Sequence, residues 1–338
     1  MNRSVTLLFS AFFAAAMAWN VTAAGKPASD TATGIAFLPN PVADLQDQSL
    51  TDQKDTDYAA LAPAYHRVTL TNLDGSGYLR GDWAFIVSET GNPAFSPAGT
   101  FDYNRHQDEF EQVMAYYWIT EAQNYIQRLG FGSGLFPGVN NEPQRVRINQ
   151  WGADNSFFTD KKDELRFGKG GVDDAEDAEV VLHEYGHAIQ DAQQTPFGYG
   201  FSVEARSIGE GFADYWAVTV SSLVAPTADP ACVADWDSVS YTRTEPHCLR
   251  RVDTNLHYPE DLNGRVHHDG MIWSRALWDI RKAIGPTQAD TVILYAHFGT
   301  PDPTMPELAA KTVAAAKSIY GNGVANKVTS AFAARGIL

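Results

Sequence analysis

Residues 183–187 spell HEYGH, and residues 209–216 spell GEGFADYW. On an α-helix, side chains four residues apart differ by about 40° in direction, so His183 and His187 project from one face, one turn apart. Two imidazoles so placed can share one ion. Glu184 follows the first of them directly, which sets its carboxylate beside the ion, where it can hold and deprotonate a water. Zinc suits this chemistry, because three protein ligands leave a fourth position for water and lower its pKa to about 7. By itself H-E-x-x-H arises by chance in roughly one such chain in a hundred, so a third ligand has to decide the matter. The continuation x-x-G-x-x-H is excluded, because positions 190 and 193 are Gln190 and Gln193. Glu210 in the second stretch is the candidate, with Asp214 one turn later on the same face. Asp214 can accept the distal N–H of a ligand imidazole, fixing its tautomer and making it a better donor. Glu204 competes for the third position but has no carboxylate four residues on. The apolar neighbours Ile208, Phe212, Tyr215, Trp216 and Val218 predict a mostly buried helix, in which carboxylates need partners.

The rest of the composition narrows the class. The chain has 338 residues, 44% hydrophobic, with a formal charge of −16. That is enough apolar material for a full core, and a charge that repels rather than holds nucleic acid. Residues 1–24 read as a secretory signal peptide: Arg3, an apolar run from about Val5 to Ala18, then small residues before a cut near Ala23 or Ala24. The run falls short of the ~20 residues that a membrane span needs. A protein exported to the extracellular space or periplasm is expected, with no membrane span. In such a chain the lone pair Cys232 and Cys248 is expected to form one disulfide.

Along the chain, residues 25–57 read as an extended N-terminal arm. Residues 58–172 read as a β-rich lobe: HRVTLTNL, WAFIVS, RVRIN, SFF and LRF are strand candidates, and one long helix runs from about Gln107 to Gly130. Residues 173–338 read as a helical lobe, with Asp173 and Asp174 as cap candidates for the helix bearing HEYGH and further helices near 203–223, 269–284, 286–297, 304–320 and 322–335. The fold class is therefore α+β, with the HEYGH helix at the junction of two lobes.

HEYGHAI together with GEGFADYWA resembles the gluzincin zinc metallopeptidases of the thermolysin and fungalysin type, and is most similar to the fungalysins. LDGSGYLRG, FDYNRHQDEFEQVMAYYWI and NGRVHHDGMIWSRALWD extend the resemblance over most of the chain. It implies a two-lobed thermolysin-like fold with the zinc helix at the cleft. It also implies His183, His187 and Glu210 as ligands of one catalytic Zn2+, Glu184 as general base and Asp214 behind the ligands. His267 falls where the family keeps a histidine for the oxyanion, with His268 as the alternative. ADNSFF resembles the cleft-side edge strand, which implies substrate contacts for Asn155 and Ser156; an ordinary hairpin is the other reading. Tyr199 is the candidate for the family's active-site tyrosine. Arg250 and Arg251 resemble a position that holds a substrate carbonyl, and equally suit a salt-bridged surface. The cluster Asp173, Asp174 and Asp177 suits either a Ca2+ ion, as in thermolysins, or the helix dipole. Family members carry a long prosegment, for which no room is expected here.

The function expected is that of a secreted monomeric metalloendopeptidase acting on proteins or peptides, with a taste for apolar residues just after the cut. The alternatives are a non-catalytic exported binding protein on the same fold and a zinc amidase acting on cell-wall peptides.

Overall fold

The computed structural model describes residues 30–87, 91–195 and 200–338; the expected signal peptide and Tyr199 lie outside them. Strand β1 (Ala32–Ala36) is the middle of a three-stranded sheet, antiparallel to β2 (His66–Leu70) and parallel to β4 (Thr100–Phe101). The short helix α1 (Pro41–Leu45) follows, capped by the Asn40 side chain, which accepts from the Ala43 N–H at 2.9 Å. From Asp30 onward the stretch read as an extended arm packs against the rest of the protein, with Ala36, Phe37, Val42 and Leu50 buried. Only five residues of β1 alternate, and their partners sit thirty residues or more away, so the local pattern carried little of the signal. Buried Arg105 ties the segment down, with Nε 2.9 Å from Glu176 and one terminal nitrogen 2.7 Å from Asp52.

A second sheet has the order β3 (Ala84–Ile86), β5 (Gln144–Arg147), β7 (Glu164–Arg166), β6 (Phe157–Thr159). Strand β6 is thus an edge, antiparallel to β7 with Phe158 opposite Leu165. The long helix α2 (Asp108–Arg128) packs between these sheets and the helices that follow, its apolar residues buried as the sequence spacing predicts.

The remaining chain is helical: α3 (Ala178–Ala192), α4 (Val203–Val224), α5 (Val266–Ile284), α6 (Pro286–His297), α7 (Met305–Tyr320) and α8 (Asn322–Ala333). The cap of α3 is Asp177, not Asp173 or Asp174. Its carboxylate accepts from the Glu179 N–H at 2.9 Å and from those of Trp236 and Asp237 at 3.0 and 3.1 Å. Asp173 and Asp174 lie one turn earlier, where their side chains go elsewhere.

Two close helix crossings set the site. A Cβ on Gly186 would stand 2.9 Å from Ala213 Cα, so α3 and α4 approach backbone to backbone there. A Cβ on Gly211 would collide with the Gly270 carbonyl oxygen, which fixes α4 against α5 in the same way. Trp273 of α5 then stacks on Phe332 of α8 at 5.3 Å. Between α4 and α5 the chain makes a two-stranded ribbon of β8 (Cys232–Val233) and β9 (Arg250–Arg251). The Cys232–Cys248 disulfide joins its ends, with Cα atoms 5.2 Å apart. Among the described residues no helix is long and apolar enough to cross a membrane.

Candidate metal centre

The Gly186 and Gly211 contacts bring α3, α4 and the first turn of α5 to one point. His183 and His187 of α3 face Glu210 of α4: Glu210 Oε2 lies 3.3 Å from His183 Nε2 and 3.8 Å from His187 Nε2. A divalent ion held tetrahedrally about 2.1 Å from each donor keeps neighbouring donors about 3.4 Å apart, so the spacing fits. No hydrogen bond reaches Glu210 Oε2, although it is buried. Three such donors converging on one point suit a shared cation. Glu204 goes elsewhere, accepting from the Met305 N–H at 2.6 Å at the start of α7.

The protein's own charges make the point attractive to a cation. Asp214, fully buried, lies 2.9 Å from His183 Nδ1 and receives two N–H groups of Arg250, Nε at 2.7 Å and a terminal nitrogen at 2.8 Å. Burial opposes its charge, yet Arg250 and His183 hold its carboxyl well below the usual range. Burial works against a charged His183 as well, but the Asp214 hydrogen bond and the Glu210 carboxylate carry it up to about 10. Burial takes His187 down to about 4, leaving its ring neutral. Glu210 is drawn down to about 2 by the three surrounding imidazoles against the cost of burial.

Glu184 sits beside the triad. Burial pushes it up to about 7, opposed by the charge of His183, and the Phe158 N–H of the edge strand bonds its carboxylate. Its Oε2 has no hydrogen-bond partner. His267, on the first turn of α5, reaches in from the open side, Nε2 3.2 Å from Glu210 Oε2. His268 turns away, to its neighbour Asp269 at 3.1 Å. Asn155 and Ser156, just before edge strand β6, line a cleft shared with His183, Glu184, Arg250 and His267. Arg251 pairs with Asp229 and Asp253 on the surface.

Asp173, Asp174 and Asp177 diverge: Asp177 caps α3, Asp174 takes the Ser156 hydroxyl, and Asp173 faces Glu111. Arg250 is the site residue that sequence reasoning set aside, since doubled arginines are routine on surfaces and only the ribbon shows which one turns inward. Asp237 and Tyr241, also on the cleft wall, carried no sequence signal at all.

No curated protein sequence matches this chain. Among solved structures, the precursor of protealysin, a metalloproteinase from Serratia proteamaculans, is similar in fold. Its TM-score is 0.57 at 16% identity, covering 75% of this chain and 85% of that one. The fold is thus mixed α+β and thermolysin-like. The sequence model of the fungalysin metallopeptidases (M36) matches residues 100–289, more than half of the chain and both halves of the metal centre. The chain belongs to the fungalysin metallopeptidase family.

Proposed function

We propose that the protein is a secreted zinc-dependent endopeptidase. The observation that carries this reading is the convergence of His183 Nε2, His187 Nε2 and Glu210 Oε2 beside the unpartnered, buried Glu184 Oε2. His183, His187 and Glu210 would hold the ion, a nitrogen and oxygen donor set that suits zinc. When bound, zinc polarises a carbonyl and acidifies water.

The protein's residues do the rest. The Nδ1–H of His183 donates to Asp214, which keeps the Nε2 lone pair aimed at the ion, and Arg250 keeps Asp214 ionised and still. Glu184, steadied by Phe158, takes the proton of the attacking water and passes it to the departing amine. His267 donates to the carbonyl oxygen as negative charge grows there. Asn155 and Ser156 lie where an extended peptide adds to the edge of β6, a geometry that selects chains over small amides. Export is supported by the signal-like residues 1–24 and by the disulfide.

The test is casein digestion by the mature protein with zinc content measured in parallel. Cleavage abolished by a chelator, and abolished in Glu184→Gln with zinc retained, is expected; full activity in Glu184→Gln would remove Glu184 from the mechanism.

A further inference from the structure

The cleft beside Glu184 has a wall that the reaction above does not use. Asp174 and Asp237 line it, exposed by only 2% and 3%, and carboxylate oxygens of these two and Asp154 lie within 4.8 Å of one another. Asp174 Oδ1 and Asp237 Oδ1 have no hydrogen-bond partner. Burying such oxygens unpaired is costly, so they suit a cation or a hydrogen-bond donor. The nearby cations are committed: Arg250 to Asp214, Arg105 to Glu176 and Asp52. The same wall carries Val180 and Leu249.

We propose that this cleft is the pocket for a lysine or arginine side chain of the substrate, on the residue whose amine is released, with Asp174 and Asp237 as the residues that select it. The inference rests on the peptidase reading. Glu184 must reach the departing amine, so the residue bearing that amine begins at Glu184, and its side chain enters the cleft that opens there. Val180 and Leu249 match the methylene stem of a basic side chain, and the unpaired carboxylate oxygens match its charged head. Burial, with the repulsion of Asp154 and Glu184 behind it, pushes Asp174 up to about 8, and Asp237 is raised by burial and by its neighbours Asp174, Asp154 and Asp177; an entering cation relieves both. A bound hard metal ion fits less well. It takes about six to eight oxygens and has no use for an apolar wall, while the Ser156 and Tyr241 hydroxyls already donate to Asp174 and Asp154. The pocket departs from the apolar preference that the family resemblance implies.

The experiment has two arms. In the first, peptides differing only in the residue after the cut are compared in wild type, Asp237→Asn and Asp174→Asn, with thermal melting as the check on folding. The arginine-to-leucine ratio of kcat/KM is expected to exceed about tenfold and to drop by at least about tenfold in either variant. In the second, calorimetry on Glu184→Gln measures binding of short peptides that begin with arginine or leucine, with and without Asp237→Asn. Tighter binding of the arginine peptide, lost with Asp237, supports the pocket even where turnover fails. No cleavage of any peptide refutes the peptidase reading and leaves the binding arm to decide. Cleavage before apolar residues, a basic preference indifferent to Asp237→Asn, or calcium binding that needs Asp237 while arginine and leucine peptides bind alike would each overturn the proposal.

Discussion

Arg250 grips both carboxylate oxygens of Asp214 at 2.7 and 2.8 Å, and one of those oxygens sits 2.9 Å from His183 Nδ1. The imidazole proposed as a zinc ligand is thus oriented by a buried ion pair. Replacing Asp214 by Asn reverses a donor and an acceptor while keeping the shape, and it strands the Arg250 charge. Zinc affinity is expected to fall about 10–100-fold, since such outer partners contribute that much. Competition with a chelating dye measures it; unchanged affinity would reduce Asp214 to a structural role.

Arg250 reaches that position because β9 is held to β8, and the disulfide closes the intervening loop, with a sequence separation of 16 residues. Replacing Cys232 and Cys248 together by serine is expected to cost about 3 kcal/mol in a denaturant titration. It should also weaken zinc, because the Arg250 clamp loosens. Loss of stability with no change in zinc affinity would show that β9 holds its place without the bridge.

A methyl at Gly186 has to push α4 away at Ala213, the residue before Asp214. Gly186→Ala should destabilise the fold by about 1–3 kcal/mol through overpacking and loosen zinc as Glu210 and Asp214 retreat. Paired melting and zinc-competition measurements check this. A variant as stable and as tight as wild type would mean that the crossing has slack.

Buried Asp173 faces buried Glu111, and each has an oxygen without a hydrogen-bond partner. Burial, with Asp55 and Asp52 adding repulsion against the pull of Arg105, pushes Asp173 up to about 7; burial and the charges of Asp173 and Glu176 raise Glu111. The folded state therefore holds a proton that the unfolded chain releases near pH 4. The stabilisation is complete below that pH and is lost as pH rises through about 7. Asp173→Asn should remove this slope, so that the variant gains on wild type by on the order of a kcal/mol or more between pH 5.5 and 8. Denaturation midpoints at the two pH values decide; parallel curves would show that the pair carries no shared proton.

How much of this was legible in the sequence follows from the range of the forces involved. Helical spacing from Phe110 to Leu129 marked α2 because burial on one helix leaves a local period, and the same held for α4 to α8. The three side chains that could hold a metal ion lie in two motifs on neighbouring helices, and each motif has a helical spacing of its own. Strand β1 was not legible, because its alternation spans only five residues and its partners, His66–Leu70, lie thirty or more positions along the chain. The cap of α3 was misplaced by one turn because Asp173, Asp174 and Asp177 are alike in kind, and only the amides of Trp236 and Asp237, brought in by the fold, single out Asp177. The inward turn of Arg250 and the meeting of Asp174 with Asp237 arise from residues tens of positions apart, with no local pattern to announce them.

The peptidase reading requires one ion among the imidazoles of His183 and His187 and the carboxylate of Glu210. Metal analysis of the purified protein, combined with X-ray absorption at the zinc edge, tests it most directly. One zinc per chain is expected, with a first shell of two histidine nitrogens and oxygen donors at about 2.0–2.1 Å, falling to trace levels in His187→Ala and Glu210→Ala. Absence of stoichiometric metal, or full zinc occupancy in both variants, would contradict it.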